Sequence, residues 1–215
     1  MAYYFVYPIV YFVLWFTALI LGRVTSSSRE NVPKTGGLIY CPNHVSDADP
    51  VVTLVTIPRR AWFIGKEELF RPRFAGWLFR AMHGFPIKRD SADRAALRRA
   101  EDLLKRGEAI VLFPEGRCSQ SGRLQRMQPG AALLALRAGV PIVPIGLRHT
   151  NNLLPYGSLM PRFSRDQVTA EYGKPIYPSE FDDLPKGDRI NAMTDRLGKE
   201  IAKLIGQDPP ATDVE

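Results

Sequence analysis

The sequence predicts an α/β fold: a single domain with a mixed, largely buried sheet flanked by helices, preceded by a hydrophobic N-terminal helix. Short apolar runs alternate along the chain with segments in which apolar residues recur every three or four positions. One such run, residues 109–113, is apolar throughout, as expected of a central strand covered on both faces. A chain of 215 residues can enclose one sizeable core, so we expect a single globular domain.

The N-terminal segment, residues 1–24, is set apart by its composition. It has no charged side chain between Ala2 and Gly22, and about 20 helical residues match a bilayer core of about 30 Å. Its aromatic rings and Pro8 favour the headgroup region, so a membrane span and a half-inserted helix both remain open. No basic residue precedes the segment, so we expect it to be retained rather than cleaved as a signal peptide. We expect a membrane anchor, with a buried core helix as the alternative.

The residues after this segment predict the orientation and the domain boundaries. Arg23, Arg29 and Lys34 follow closely, which by the positive-inside tendency places the domain on the cytoplasmic side of the cell membrane. Residues 25–35, with three consecutive serines and Pro33, are expected to form a linker. The domain itself is expected over residues 36–206, followed by a flexible tail over residues 207–215.

The first half of the domain is predicted from short apolar runs and the residues that end them. Residues 38–41 predict a buried strand that ends at Pro42. Pro50 suits the first turn of a helix over 51–57, with Asp49 as its N-cap. The elements expected next are a strand over 61–65, a helix over 74–82 with one apolar face, and a short strand over 85–87.

The second half continues the alternation of strands and helices. A helix capped by Ser91, with Leu97, Ala100 and Leu104 on its apolar side, is stopped by Gly107 and is followed by the apolar strand over 109–113. The elements expected after it are a helix over 131–138, strands over 142–147 and 167–172, and an amphipathic helix over 189–205.

The overall charge favours anionic partners but does not choose among them. The formal net charge is +7 and the isoelectric point is about 9.6, which suits a phospholipid surface, a phosphorylated metabolite or nucleic acid. The aromatic residues concentrate in the N-terminal segment rather than among the basic residues, which argues against nucleic acid. Cys41 and Cys118 are too few for a zinc cluster or a disulfide framework, and Cys118 is a weak candidate nucleophile.

A histidine and an aspartate separated by four residues form the most informative motif. Histidine is the side chain best suited to remove a proton near neutral pH, so His44 is a candidate general base. A carboxylate on its other nitrogen would fix the tautomer, and both Asp47 and Asp49 are close enough in sequence to supply it. On a regular helix the side chains of His44 and Asp49 would diverge by about 140°, so the pair requires a turn.

Four segments in order, residues 43–49, 84–89, 111–117 and 140–145, resemble the glycerolipid acyltransferase family. The resemblance covers roughly residues 35 to 175. It implies that His44 is the base and that Asp49, rather than Asp47, is its partner. It also implies acceptor phosphate and glycerol contacts, which we assign to Arg89, Glu115, Gly116, Arg117 and Lys66. Arg117 departs from the usual family pattern, because it stands one place early, directly after the glycine of Phe113-Pro114-Glu115-Gly116.

Bacterial members of this family acylate lysophosphatidic acid, and the resemblance implies the same reaction here. A fatty acyl group would pass from acyl-CoA or acyl-acyl carrier protein to the sn-2 hydroxyl of 1-acyl-sn-glycerol-3-phosphate, giving phosphatidic acid in phospholipid biosynthesis. No cofactor or metal is implied, and the expected partners are these substrates and membrane lipid. A different lysolipid acceptor is one alternative. A non-catalytic, membrane-anchored basic module that binds anionic lipid is the other, suggested by the basic residues of the helix after residue 93.

Overall fold

The computed structural model describes residues 2–87, 93–158 and 160–210, with side chains from Val6 onward. The strands are β1 (Thr25–Ser27), β2 (Leu38–Pro42), β3 (Ala61–Lys66), β4 (Gly84–Ile87), β5 (Ala109–Val111), β6 (Ile142–Arg148) and β7 (Thr169–Tyr172). The helices are α1 (Ala2–Gly22), α2 (Asp49–Thr56), α3 (Arg73–Ala81), α4 (Arg94–Lys105), α5 (Gly130–Ala138), α6 (Thr150–Leu153) and α7 (Arg189–Ile205). Short 3-10 helices cover Arg29–Asn31, Glu67–Phe70 and Pro178–Phe181.

One seven-stranded sheet organises the chain, in the order β1-β7-β6-β2-β5-β3-β4. The five strands from β6 to β4 run parallel, whereas β7 pairs antiparallel with β6 and carries β1 parallel to itself. The predicted single domain with a mixed sheet flanked by helices is therefore confirmed. Because parallel strands end at the same edge, the residues after β2, β3 and β4 gather there.

The sheet is buried on both faces, which explains the unbroken apolar runs of its central strands. Along β2, Ile39 and Cys41 face a core formed with α4, α5 and α7, and Leu38 and Tyr40 face a second core that includes residues of α2 and α6. Alternate residues of one strand thus supply two hydrophobic cores. This double burial fixes the end of β2, from which the chain continues into His44.

Helix α1 lies against the domain, in contact with α2, α3 and α6. Its other side is exposed and apolar, and the residues there are Ile9, Phe12, Val13, Trp15, Phe16, Leu19 and Ile20. Within the described residues, no helix is both long and apolar enough to cross a membrane. The predicted anchor is thus not supported as a membrane span.

The first residues of the predicted linker over 25–35 belong to the sheet, which corrects the sequence interpretation. Strand β1 pairs with β7 in register Thr25 to Thr169, and Asn31 donates its side-chain amide to the Tyr172 carbonyl at 2.8 Å. An edge strand is held by its backbone, so its serines carry no apolar signal to reveal it. The start of the predicted tail is also bonded, because Gln207 accepts the Leu124 N–H at 2.9 Å.

Candidate active site

His44 and Asp49 meet at the carboxyl end of β2, in the turn that leads into α2. His44 Nδ1 lies 2.9 Å from Asp49 Oδ2, and the Asp49 side chain is completely buried. Asp47, the alternative partner, points away and accepts the Gly157 N–H at 3.3 Å in an exposed position. The geometry therefore selects Asp49, and the predicted turn between the two residues is confirmed.

The Asp49 carboxylate also builds the turn that holds it. The same oxygen, Oδ2, accepts the main-chain N–H groups of Val45 and Ser46, each at 2.7 Å. Carboxylate hydrogen bonds of this kind are stronger than neutral ones and fix both partners in one geometry. With Nδ1 engaged by Asp49, Nε2 of His44 is the nitrogen available to a substrate hydroxyl.

The main chain of His44 is clamped from a second direction, by the loop between β5 and α5. Its N–H donates to Glu115 Oε1 at 2.6 Å, and its carbonyl accepts the Ser119 N–H at 2.7 Å. The Phe113 ring packs 4.3 Å from the imidazole, between ring centres. His44 is thus held at its ring nitrogen Nδ1, at its main-chain N–H and carbonyl groups, and by the packing of Phe113 against its ring.

The Glu115 side chain binds main-chain N–H groups of other residues, a role that the sequence did not suggest. Its side chain is 3% exposed, and its second oxygen accepts the Gln125 N–H at 2.9 Å. Burial raises the pKa of Glu115 to about 7, although its hydrogen bonds with His44 and Gln125 oppose the shift. Both oxygens are engaged by backbone donors, so Glu115 positions the His44–Asp49 turn. Its expected contact with a glycerol hydroxyl stays a prediction.

Gly116 and Arg117 continue the same loop toward solvent. Gly116 has φ +75°, a left-handed conformation that glycine adopts without strain, and its N–H closes the turn on the Phe113 carbonyl at 3.1 Å. Arg117 is exposed and donates Nε–H to Gln125 Oε1 at 3.2 Å. The loop therefore presents one guanidinium close in sequence to the clamp on His44.

Lys66 and His44 line the same cavity, as their shared position at the carboxyl ends of the strands predicts. Lys66 ends β3, its side chain is 47% exposed, and its nearest carboxylate, that of Glu68, lies 3.8 Å away. Arg89 lies outside the described residues, so its phosphate-binding role stays a prediction. The residues of β4 lead toward this same edge, because β4 runs parallel to β3.

The cavity has a volume of about 320 Å³ and a mostly apolar wall. Val10 and Leu14 of α1 close one side, while Phe63, Leu78 and Met82 are among the residues from the domain. Such a wall suits an alkyl chain whose polar end lies at His44. Helix α1 thereby contributes directly to the site.

Two further residues brace the turn and were not singled out from the sequence. Asn43 pairs with both backbone groups of Leu147, accepting its N–H at 2.7 Å and donating to its carbonyl at 3.1 Å. Ser46 donates its hydroxyl to the Leu154 carbonyl at 2.6 Å. Their positions beside His44 were the available signal, but the partners are more than 100 residues away.

Neither metal chemistry nor cysteine chemistry finds support among the described residues. No group of histidine, cysteine and acidic side chains in that part of the chain could hold a metal ion. Burial, with the charges of Asp49, Asp47 and Glu115, raises the pKa of Cys118 to about 12. A thiol so difficult to ionise is a poor nucleophile near neutral pH. The assignment of His44 and Asp49 as the reactive pair stays a prediction.

Comparison with known proteins finds relatives that match most of the chain. The family model described as Acyltransferase matches residues 23–148, more than half of the chain. The 1-acyl-sn-glycerol-3-phosphate acyltransferase of Bacillus subtilis is 28% identical over 185 residues, which cover 85% of this chain and 88% of that protein. The chloroplastic 1-acyl-sn-glycerol-3-phosphate acyltransferase LPAT1 of Arabidopsis thaliana is 33% identical over 165 residues, 75% of this chain but 46% of that protein.

A solved structure extends the similarity to the fold. The crystal structure of the 1-acyl-sn-glycerophosphate (LPA) acyltransferase PlsC from Thermotoga maritima superposes with a TM-score of 0.69 and 26% sequence identity. The match covers 89% of this chain and 79% of that one. The paired histidine and aspartate, the matched segment and the shared architecture lead to one conclusion: the chain belongs to the acyltransferase family.

Proposed function

We propose that the protein transfers a fatty acyl group from an acyl thioester to the sn-2 hydroxyl of 1-acyl-sn-glycerol-3-phosphate, giving phosphatidic acid. The observation that carries this proposal is the 2.9 Å contact between His44 Nδ1 and Asp49, at the end of an apolar cavity. The named relatives acylate this acceptor by their printed names, which directs the choice among lysolipids. The non-catalytic lipid-binding module is not retained, because the chain belongs to an enzyme family.

The reaction is a direct acyl transfer in which His44 carries the proton. Nε2 removes the proton of the acceptor hydroxyl while its oxygen attacks the thioester carbonyl, so that a carbon–oxygen bond forms. As the carbon–sulfur bond breaks, the imidazolium returns the proton to the leaving thiolate. Asp49 holds the correct tautomer and stabilises the imidazolium between these two steps.

The acceptor is bound by its phosphate and by its chain. Arg89, Arg117 and Lys66 supply the cationic groups, with guanidinium suited to two parallel hydrogen bonds to phosphate. Gly116 gives the turn that exposes Arg117, and Glu115 supports His44 from behind. The apolar cavity under α1 accepts an alkyl chain close to the reacting groups.

The protein works at the cytoplasmic surface of the cell membrane, with α1 lying in one leaflet. The exposed side of α1 is apolar along much of its length, and it includes Trp15, a residue type that favours the boundary between headgroups and acyl chains. Because α1 also forms the cavity wall, a lipid acceptor can reach His44 without leaving the membrane surface.

One transfer assay tests the proposal. The purified protein is incubated with radiolabelled acyl-CoA or acyl-acyl carrier protein and a panel of lysolipids, and the products are separated by chromatography. We expect labelled phosphatidic acid with at least one donor. Transfer to every lysolipid except lysophosphatidic acid would overturn the acceptor assignment, and transfer to none of them would overturn the reaction.

A further inference from the structure

A second cavity lies beside the first, at the side of the sheet that β3 and β4 form. Its volume is about 710 Å³, and residues in or just before β3 and β4 line it together with residues of α1, α3 and α4. Trp62 in this cavity and Phe63 in the first are consecutive on β3 and pack against different hydrophobic cores, because successive side chains of a strand point to opposite faces of the sheet. Among the described lining residues, only Gly84 borders both cavities, so the second is a distinct site.

Three arginines from different parts of the chain line this cavity. Arg60 precedes β3, Arg80 lies in α3 and Arg99 lies in α4. Aromatic rings support them: the Arg60 guanidinium lies 4.9 Å from the centre of the Tyr7 ring, and that of Arg99 lies 4.9 Å from the Phe85 ring. Contacts of this kind position a guanidinium while leaving its charge intact.

The positive charge of the cavity is not neutralised by the described part of the chain. No described carboxylate lies within ion-pair distance of Arg60, Arg80 or Arg99. Elsewhere, exposed arginines do find such partners, for example Arg189 with Asp182 at 2.8 Å. An unpaired cluster of guanidiniums around a cavity is the arrangement expected of an anion-binding site.

Three aromatic rings in contact form part of the cavity wall. The His83 imidazole lies between Tyr7, with ring centres 5.3 Å apart, and Trp62, at 4.8 Å. Burial and the charge of Arg60 lower the pKa of His83, while the charge of Glu108 opposes them. An imidazole there can donate a hydrogen bond to an anion in either protonation state.

We propose that this cavity binds the phosphate group of an anionic phospholipid headgroup, at a site separate from that of the acceptor. Guanidinium groups grip phosphate through paired hydrogen bonds, and those of Arg60 and Arg99 each lie over an aromatic ring of this cavity. Tyr7 and Pro8 of α1 form part of the wall, next to the apolar side that we have placed on the membrane. The cavity thus opens where headgroups lie, which favours lipid phosphate over a soluble anion.

This proposal rests on the proposed position of α1 at the membrane, so the experiment tests the cavity and the position of α1 separately. The full chain is sedimented with vesicles of phosphatidylcholine alone and with vesicles that also contain phosphatidylglycerol. The variant Arg60→Gln/Arg99→Gln is compared with Arg94→Gln/Arg98→Gln, which removes two exposed arginines that line another surface cavity beside α4. Thermal unfolding and acyl transfer in detergent micelles verify that each variant is folded.

We expect the unaltered protein to prefer the anionic vesicles and the cavity variant to lose about fivefold of that preference per arginine. The control variant should keep the preference within about twofold, because its arginines lie outside the cavity. An equal loss in both variants would show that net charge alone acts, and no loss in either would show that the cavity is unused. Both results overturn the proposal.

A titration in detergent distinguishes the source of the phosphate. Isothermal titration calorimetry compares inorganic phosphate with short-chain phosphatidylglycerol, and we expect the lipid alone to bind in a manner that Arg60→Gln/Arg99→Gln abolishes. Inorganic phosphate binding as tightly as the lipid would overturn the headgroup assignment. Failure to bind phosphatidylcholine vesicles would contradict the position of α1, and absence of acyl transfer would contradict the proposed reaction, each separately from this cavity.

Discussion

The His44–Asp49 turn and the cations beside it are held in opposite ways. The turn is fixed by buried hydrogen bonds to Asp49, Glu115 and Ser119. Lys66 and Arg117, in contrast, are exposed, and their polar partners, Glu68 at 3.8 Å and Gln125 at 3.2 Å, are weak ones. The proposed base is therefore organised before substrate arrives, while the proposed phosphate-binding cations keep the hydration and freedom that a bound phosphate would replace.

The sharpest test of this contrast is removal of the base itself. We expect His44→Ala to lower kcat for acyl transfer by about a thousandfold, because general-base catalysis contributes roughly 10²- to 10⁴-fold. Thermal unfolding should change little, since Asp49 retains the bonds from Val45 and Ser46. Steady-state kinetics in detergent micelles provide the measurement, and a variant with unchanged kcat would remove His44 from the reaction.

Replacement of Asp49 should lower kcat nearly as much as loss of His44, whereas replacement of Asp47 should not. Asp49→Asn keeps the size of the side chain but removes the anion that fixes the imidazole and receives three hydrogen bonds. We expect kcat to fall by several hundredfold, within the general acid–base range of about 10² to 10⁴. Asp47→Asn is the matched control, and a loss as large there would reverse the assignment.

The buried side chain of Glu115, which accepts the His44 N–H, can be tested through the pH dependence of stability. Its pKa of about 7 lies above the ordinary value of 4.5. A raised pKa means that the folded protein holds the proton more tightly than the unfolded chain. The resulting stabilisation is complete below about pH 4.5 and is lost as the pH rises through about 7. Relative to Glu115→Gln, the free energy of unfolding should fall by about 2 to 3 kcal/mol across this window. Parallel stability curves from chemical denaturation at several pH values would contradict the burial of this carboxyl group.

Removal of an exposed cation should give the smallest effect on acyl transfer, and this effect should be confined to binding of the acceptor. We expect Arg117→Gln to raise KM for lysophosphatidic acid by about fivefold with little change in kcat, because its charge attracts phosphate without touching the reacting atoms. Unfolding temperature should not move, since exposed side chains contribute little to stability. Arg196→Gln on α7, also exposed, is the control. An equal rise in KM there would mean that Arg117 acts only through net charge.

The same contrast separates what the sequence could predict from what it could not. The pairing of His44 with Asp49 is local, so the spacing and the two flanking prolines were enough to predict a turn. The bond from His44 to Glu115 joins residues 71 positions apart, and it depends on β2 and β5 being neighbours in the sheet. No pattern in either segment records that pairing. The cations could be named as candidates, but their exposure follows from the path of the loops.

The strands show a similar division. The buried strands were predicted because their residues are apolar on both faces, and β2, β3 and β6 lie within a residue or two of the expected positions. Strand β1 was interpreted as a linker, because an edge strand of threonine and serine gains its stability from backbone pairing with β7. Helix α1 was identified as apolar, but its contacts with α2 and its place in the cavity wall required the folded chain.

The pairing of β1 with β7 also determines how the protein can be handled in the laboratory. A common way to obtain a soluble enzyme is to delete its hydrophobic N-terminal segment, here by starting the chain at residue 28. That cut would remove the outermost strand and leave the backbone of β7 open to pairing with other molecules. The shortened protein should aggregate rather than dissolve, so detergent or lipid is the better route to pure material.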